Sequence, residues 1–181
     1  MGNLRVPAQA GTQSVRADAR ESGLPPAREH ETVFRPAVRA DLDAIVALLA
    51  DDDMSSGREL PDLPLDPAYA AAWDEMAADP AQHPIVAERD GRLVAYLQLT
   101  IIPGLAFRGM KRGLIESVRV ASHLRGQGIG AAFIRHAVDL AQAESCRLVQ
   151  LTSTNERKAA HRFYERLGFQ STHTGFKLTL G

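Results

Sequence analysis

Arg125-Gly126-Gln127-Gly128-Ile129-Gly130 is the stretch that decides the fold, because it joins an apolar strand pattern to a long amphipathic helix pattern. Glycine adopts backbone angles closed to other residues and lets a ligand approach the main chain. The first amides of a helix have no partner within the helix and carry a partial positive charge. The stretch therefore predicts a site for a phosphorylated ligand at a helix N-terminus.

Two other phosphate-binding designs fit this stretch less well. A mononucleotide-binding loop ends in Gly-Lys-Ser/Thr, whereas this loop continues into Ala131-Ala132-Phe133. A dinucleotide fingerprint matches the letters from Gly126 onward, but several residues separate it from the strand that ends near Val120. The acidic ribose partner expected about 20 residues further on is also missing, since Thr-Ser-Thr-Asn stands at 152–155. A dinucleotide-dependent oxidoreductase is therefore only a minor alternative.

The chain resembles the GNAT superfamily, the acyl-CoA-dependent N-acyltransferases. Residues 125–130 match the family's Gln/Arg-x-x-Gly-x-Gly/Ala signature and follow a strand pattern at 115–120. A second family element lies downstream in the same order and spacing, and it consists of Asn155, Ala159-Ala160, Phe163-Tyr164 and Leu167-Gly168-Phe169. With a strand and helix start at 34–36 and a hairpin around Asp90-Gly91, the resemblance covers roughly residues 32–181.

Apolar periodicity predicts an α/β (α+β mixed) fold with a central mixed, mostly antiparallel sheet and helices on both faces. The helices are expected from Leu42 to Leu49 and at Pro67–Ala78, Gly128–Glu144 and Glu156–Leu167. The strands are expected at Thr32–Arg35, Ile85–Glu88, Leu93–Ile102, Gly113–Val120, Arg147–Leu151, Phe169–Thr172 and Gly175–Leu180. Asp90-Gly91 is a favoured pair for a two-residue hairpin turn between two of these strands.

Composition divides the chain into a leader and one domain. Residues 1–31 are rich in Arg, Ala, Pro, Ser and Gly without sustained periodicity, so we expect a disordered leader before a domain at 32–181. A net charge of −1 does not favour nucleic acid as a partner, and no run approaches the roughly 18 apolar residues of a membrane span. The single cysteine, Cys146, allows no internal disulfide, which indicates a reducing, cytoplasmic location.

Acyl transfer from a thioester to an amine needs a base, because an amine with a pKa of about 10.4 arrives protonated near neutral pH. Glu116 is our candidate for this catalytic base. It precedes Val118 by two residues, so strand alternation predicts that both side chains share one face. The alternative is a structural glutamate paired with Arg119 or Lys111.

The resemblance implies the remaining roles. Val118 offers its amide to the thioester carbonyl, and Val118 and Val120 pair with the pantetheine arm of acetyl-CoA as a further strand would. Tyr164 stands where the family places the general acid for the coenzyme A thiolate; the alternative is an aromatic residue of the core. The expected cofactor-binding loop comprises Arg125, Gly126, Gln127, Gly128, Ile129 and Gly130. Asn155 either contacts the cofactor arm or caps a helix.

The sequence thus predicts an acetyl-CoA-dependent N-acetyltransferase in which a primary amine attacks directly within a ternary complex. No metal is needed, and no His-Glu-x-x-His motif or paired-ligand spacing indicates one. The alternative is a non-catalytic acyl-CoA-binding regulatory module. The amine, on a small molecule or a protein, stays unidentified, although an acidic run at 51–53 could attract a cation. Homodimers are frequent in the family, so a homodimer is an expected assembly.

Overall fold

The computed structural model describes residues 31–51 and 59–180. Five strands form one sheet, in the order β1 (Thr32–Pro36), β2 (Gln82–Arg89), β3 (Arg92–Ile102), β4 (Arg112–Val120) and β5 (Leu148–Leu151). Neighbouring strands from β1 to β4 are antiparallel, and β4 and β5 are parallel. The predicted mixed, mostly antiparallel sheet is confirmed.

The helices are α1 (Leu42–Ala50), α2 (Pro67–Ala78), a four-residue turn α3 (Ala106–Gly109), α4 (Ile129–Ala143) and α5 (Lys158–Arg166). None of the helices in the described ranges is long and apolar enough to cross a membrane. Helix α2 begins where its local signals place it, because Pro67 occupies the first turn and the Asp66 carboxylate accepts the amide hydrogen of Ala68 at 2.8 Å.

Two hydrophobic clusters lie on opposite faces of the sheet. Helices α1 and α2 cover one face, where Ile45, Trp73 and Tyr96 are buried together. Helix α4 covers the other face with Phe133 and Ala137, and side chains of α5 pack against the same cluster. Because β4, α4 and β5 form a crossover between parallel strands, the loop before α4 lies at the end of β4.

The two predicted C-terminal strands are wrong in this structure. Residues 169–180 form no strand, and positions 171–180 are exposed. Their alternating apolar pattern is typical of a strand, but a strand requires a partner for its backbone groups. Among the described residues no segment pairs with them or with the outer edge of β5.

Several expectations fall on residues that the structure does not describe. The predicted leader lies outside the described ranges except for its last position, 31. Two aspartates of the acidic run, at 52 and 53, also lie outside them.

Candidate active site

The glycine loop before α4 has the geometry of an open anion site. Gly126 and Gly128 adopt left-handed backbone angles, with φ of +79° and +84°. No atom lies within 4 Å of the position that a Cβ would take at either glycine. Gly128 caps α4, and the loop residues from 125 to 128 are exposed. The backbone amides at the start of a fifteen-residue helix are therefore accessible to a ligand.

Asp51 and Arg125 fasten this loop to the end of α1. The Asp51 carboxylate accepts the amide hydrogen of Ser122 at 2.7 Å, and the Arg125 guanidinium donates to the Asp51 carbonyl at 2.6 Å. The same guanidinium donates to the carbonyl of Val120 at 3.1 Å. In the described residues, the side chain of Arg125, which was predicted as part of the cofactor-binding loop, contacts two main-chain carbonyls that hold the loop in position.

Strands β4 and β5 stay together over only part of the length of β4. Their pairing ends at Ile115 and Leu151, although β4 continues to Val120. Ala121 donates its amide hydrogen to Val94 on β3 at 2.9 Å, so strand alternation directs the backbone groups of Val120 and Val118 away from β3. Within the described residues no strand covers these groups, and the gap runs toward the glycine loop.

A β-bulge interrupts β4 beside this gap. Tyr96 lies opposite Arg119 and Gln98 opposite Glu116, so Ser117 and Val118 together face one residue of β3. Ser117 has a φ of +54°, which is uncommon for a residue with a side chain. The bulge interrupts the regular alternation of side chains between the two faces of the sheet, close to the point where β4 separates from β5.

The bulge changes the predicted orientation of Glu116. Alternation alone predicted that Glu116 and Val118 share a face, but Val118 packs against the α4 cluster while Glu116 lies opposite Gln98 on the α1 and α2 face. Glu116 is exposed. Lys111, one of its two predicted partners in the structural alternative, donates to the carbonyl of Glu144.

Tyr164 lies on α5 at the border of the core. Its ring makes edge contacts with Phe163 and Phe169, with centroid distances of 5.1 and 5.9 Å. Burial raises the pKa of the Tyr164 hydroxyl above its usual 10.0, while the positive charges of Arg157 and Arg119 oppose this rise. The hydroxyl is therefore protonated near neutral pH, as a proton donor must be.

Helix α5 starts later than the sequence predicted. It begins at Lys158 with Arg157 in the capping position, so the expected use of Asn155 as a helix cap is not found. Asn155 lies in an exposed turn just before the helix. Helices α4 and α5 come close at Gly130, where an added Cβ would lie 3.6 Å from the Phe163 ring, an ordinary contact distance.

A cavity on the α1 and α2 face adds residues that sequence reasoning missed. Tyr69, Trp73 and Met76 of α2 line it, together with Gln98 and Ser117 of the sheet. The three α2 residues stand at i, i+4 and i+7, which is the spacing of one helix face. That periodicity is the sequence pattern from which these three residues could have been predicted to share a buried face. Ser117 brings the cavity to the bulge of β4.

Comparisons with known proteins agree with this geometry. A sequence model of the Acetyltransferase (GNAT) family matches residues 44–169. Aminoalkylphosphonate N-acetyltransferase of Salmonella typhimurium is 32% identical over 150 residues, covering 81% of this chain and 90% of the relative. A putative acetyltransferase from Agrobacterium tumefaciens has a TM-score of 0.72 at 31% identity, over 81% of this chain and 99% of its own. The crystal structure of a transcriptional regulator from Bacillus halodurans has a TM-score of 0.80 at 39% identity, over 82% of this chain and 99% of its own.

The family match, together with an open sheet that has a divided pair of strands and a glycine loop at a helix N-terminus, identifies an acyl-group transferase. The chain belongs to the GNAT acetyltransferase family. It is an acetyl-CoA-dependent N-acetyltransferase.

Proposed function

We propose that this enzyme transfers the acetyl group of acetyl-CoA to a primary amine by direct attack within a ternary complex. The observation that carries the proposal is the continuity of two features. Residues 125–128 of the glycine loop are exposed, and they follow the stretch of β4 that has no β5 partner after a short connection at 121–124. One extended cofactor, with a diphosphate followed by an arm that ends in a thioester, fits both.

The loop supports the diphosphate end of this assignment. Gly126 and Gly128 leave open space before the main chain, and the amides of Ile129 and Gly130 belong to the first turn of α4. An anion is stabilised there by unpaired amide donors and the helix dipole. In this arrangement the main chain binds the phosphates, while the side chain of Arg125 positions the loop.

The free edge of β4 supports the thioester end. The amide groups of Val118 and Val120 face the gap, where the amide-containing pantetheine arm would pair with them as a strand does. Asn155 lies in the turn before α5 and would contact the same arm. An amide donor aimed at the thioester oxygen stabilises the charge that develops there, which is worth about 3 kcal/mol in comparable sites.

Two side chains supply the proton transfers. Glu116, exposed on the face that also carries Ser117, accepts the proton of the incoming ammonium directly or through water. The neutral nitrogen then forms a bond to the acetyl carbon, the carbon–sulfur bond breaks, and the nitrogen releases its second proton to water to leave a neutral amide. Tyr164 donates its hydroxyl proton to the departing thiolate, and its raised pKa keeps that proton in place until the transfer.

Replacement of Tyr164 by phenylalanine tests the acid. We expect kcat to fall about 10²- to 10⁴-fold, the range of general acid catalysis, while acetyl-CoA affinity measured by calorimetry stays nearly unchanged. The exposed neighbour Glu165 offers a control through Glu165→Gln, which should leave both quantities intact. A Tyr164→Phe enzyme with wild-type kcat would remove Tyr164 from the mechanism.

The base is tested in the same assay. Glu116→Gln removes the proton acceptor but keeps the shape of the side chain, so kcat should fall most at pH values where the amine is protonated. Raising the pH should restore part of the rate. Acetyl-CoA binding without an acetylated product for any amine would instead favour the alternative predicted from sequence, a non-catalytic acyl-CoA-binding regulatory module.

The C-terminal segment supports a homodimer as the assembly of this enzyme. Phe176, Leu178 and Leu180 are 93%, 85% and 84% exposed, and their spacing places them on one face of an extended chain. The outer edge of β5 has no partner strand within the described residues. Such an edge readily accepts a strand from another chain, and a second copy supplies one with a complementary apolar face.

A further inference from the structure

The cavity between α1, α2 and the sheet has a volume of about 170 Å³. Its floor includes Tyr96 and Gln98 of β3, and Ser117 of the β4 bulge lies at its edge. Glu116 is the neighbour of Ser117 on the same face. An amine at this edge of the cavity would therefore lie beside the proposed base, with the rest of the molecule inside.

The walls of the cavity are apolar. Both helices contribute large hydrophobic side chains to it, namely Leu42, Ile45, Leu49, Trp73 and Met76. Burial of an apolar group among such side chains is favourable in proportion to the area removed from water. The cavity is thus built to bind a hydrocarbon group.

The polar side chains that line the cavity are neutral, and the nearby carboxylate of Glu59 lies outside the lining, where it accepts the hydroxyl hydrogen of Tyr69 at 2.9 Å. Burial raises the pKa of Tyr96 to about 12, so its hydroxyl carries no charge. Gln98 donates an amide hydrogen to the Gln82 side chain at 2.8 Å, which fixes its orientation. Among the described lining residues none is Asp, Glu, Lys or Arg. A phosphonate or a second ammonium group inside the cavity would therefore meet no opposite charge on the side chains that line it, which is unfavourable.

We propose that the acceptor is a primary amine whose body is one uncharged hydrocarbon group, aliphatic or aromatic, bound between α1 and α2. This inference rests on the proposed function and deepens it by naming the class of substrate. It separates this enzyme from the Salmonella relative, whose name specifies an aminoalkylphosphonate. The amine nitrogen lies toward Ser117, and the hydrocarbon group contacts Trp73 and Met76.

A homologous series of amines tests this class. We expect kcat/KM to rise about fourfold for each methylene from propylamine to pentylamine, because each added group is buried in the cavity. 2-Aminoethylphosphonate and spermidine serve as charged comparators and should be poorer substrates than pentylamine. A flat series, or a charged comparator with the highest kcat/KM, would overturn the inference.

Direct binding is measurable without turnover, since Trp73 is the single tryptophan of the sequence. Binding of the acetylated product N-pentylacetamide should change the fluorescence of Trp73, whereas addition of spermidine should not. A fluorescence change without acetylation of any amine would support the hydrophobic site and overturn the proposed function. Efficient acetylation of spermidine with no fluorescence response to N-pentylacetamide would support the proposed function and overturn the hydrophobic site.

A matched pair of variants locates the effect. Met76 is half-buried in the cavity and Glu75 is exposed on the same helix, so both tolerate glutamine without loss of the fold, which circular dichroism checks. Met76→Gln should lower kcat/KM for pentylamine about tenfold and for propylamine less than threefold, because only the longer chain reaches this wall. Glu75→Gln should change neither value. Equal losses for both amines in Met76→Gln would contradict the inference.

Discussion

The substitution Gly128→Ala is the sharpest test of the glycine loop, because the backbone angle at Gly128 gives the size of the effect. A φ of +84° is left-handed, and a residue with a Cβ adopts that region at a cost of about 1–2 kcal/mol. If the free loop relaxes to another conformation, binding must restore it, and the Kd for acetyl-CoA rises about 5- to 30-fold. If the rest of the fold keeps the loop in its left-handed conformation, the same cost appears as a lower free energy of unfolding.

Gly130→Ala is the matched control. Gly130 lies inside α4, and an added Cβ would meet Val120 and Phe163 at 3.5 and 3.6 Å, which are ordinary contacts. Alanine is also the better helix residue, so stability should stay equal or rise. The acetyl-CoA affinity should change less than about twofold.

Isothermal titration with acetyl-CoA and chemical denaturation measure the two free energies for each variant. For Gly128→Ala, the losses in binding and in unfolding free energy should together reach about 1–2 kcal/mol. For Gly130→Ala, no such loss is expected. Equal losses for the two variants, or none for Gly128→Ala, would refute the argument that the left-handed turn shapes the cofactor site.

Two further predictions concern stability and assembly. The Asp41 carboxylate accepts hydrogen bonds from Arg35 at 2.7 and 3.0 Å and from the Val38 amide at 2.8 Å. Asp41→Asn should therefore lower the unfolding free energy by about 2 kcal/mol. Asp74→Asn, which removes an exposed ion pair, should lower it by less than about 1 kcal/mol. Arg35 lowers the pKa of Asp41 below its usual 3.8, so this contribution is complete above pH 3.8 and disappears as the pH falls through the lowered value. Acid denaturation should therefore narrow the stability difference between the wild type and Asp41→Asn, but not that between the wild type and Asp74→Asn. Light scattering after size-exclusion chromatography should find a dimer for the wild-type chain and a monomer for Phe176→Asp, and a wild-type monomer would contradict the assembly proposal.

Elements with strong local signals were predictable from the sequence. The hairpin at Asp90-Gly91 forms because both residues adopt the positive φ that the two-residue turn requires, 53° and 72°. Helix α2 occupies its predicted bounds of Pro67–Ala78 because its start is specified by a capping aspartate and a proline. The glycine loop was predictable for the same reason, since its conformation depends on its own residues.

Features that depend on distant partners were not predictable. The segment 169–180 carries an alternating pattern, but a pattern states only that one face is apolar and does not identify the strand that will cover it. Likewise, the periodicity of Tyr69, Trp73 and Met76 indicates a buried helix face without showing that a cavity remains against Gln98. Packing of the whole chain decides both outcomes.

The bulge at Ser117 explains why the candidate site has two sides. In a regular strand Glu116 and Val118 would point to the same face, and the amine pocket and the cofactor edge would compete for one surface. One additional residue at a positive φ places Glu116 and Ser117 toward the α1 and α2 cavity and Val118 toward the α4 cluster. The same irregularity lies where β4 leaves β5, so the backbone groups of β4 face the gap between them. In the proposed mechanism, an amine from the cavity and a thioester at the free edge of β4 would then meet at the bulge, where direct transfer requires the two reacting atoms to be in contact.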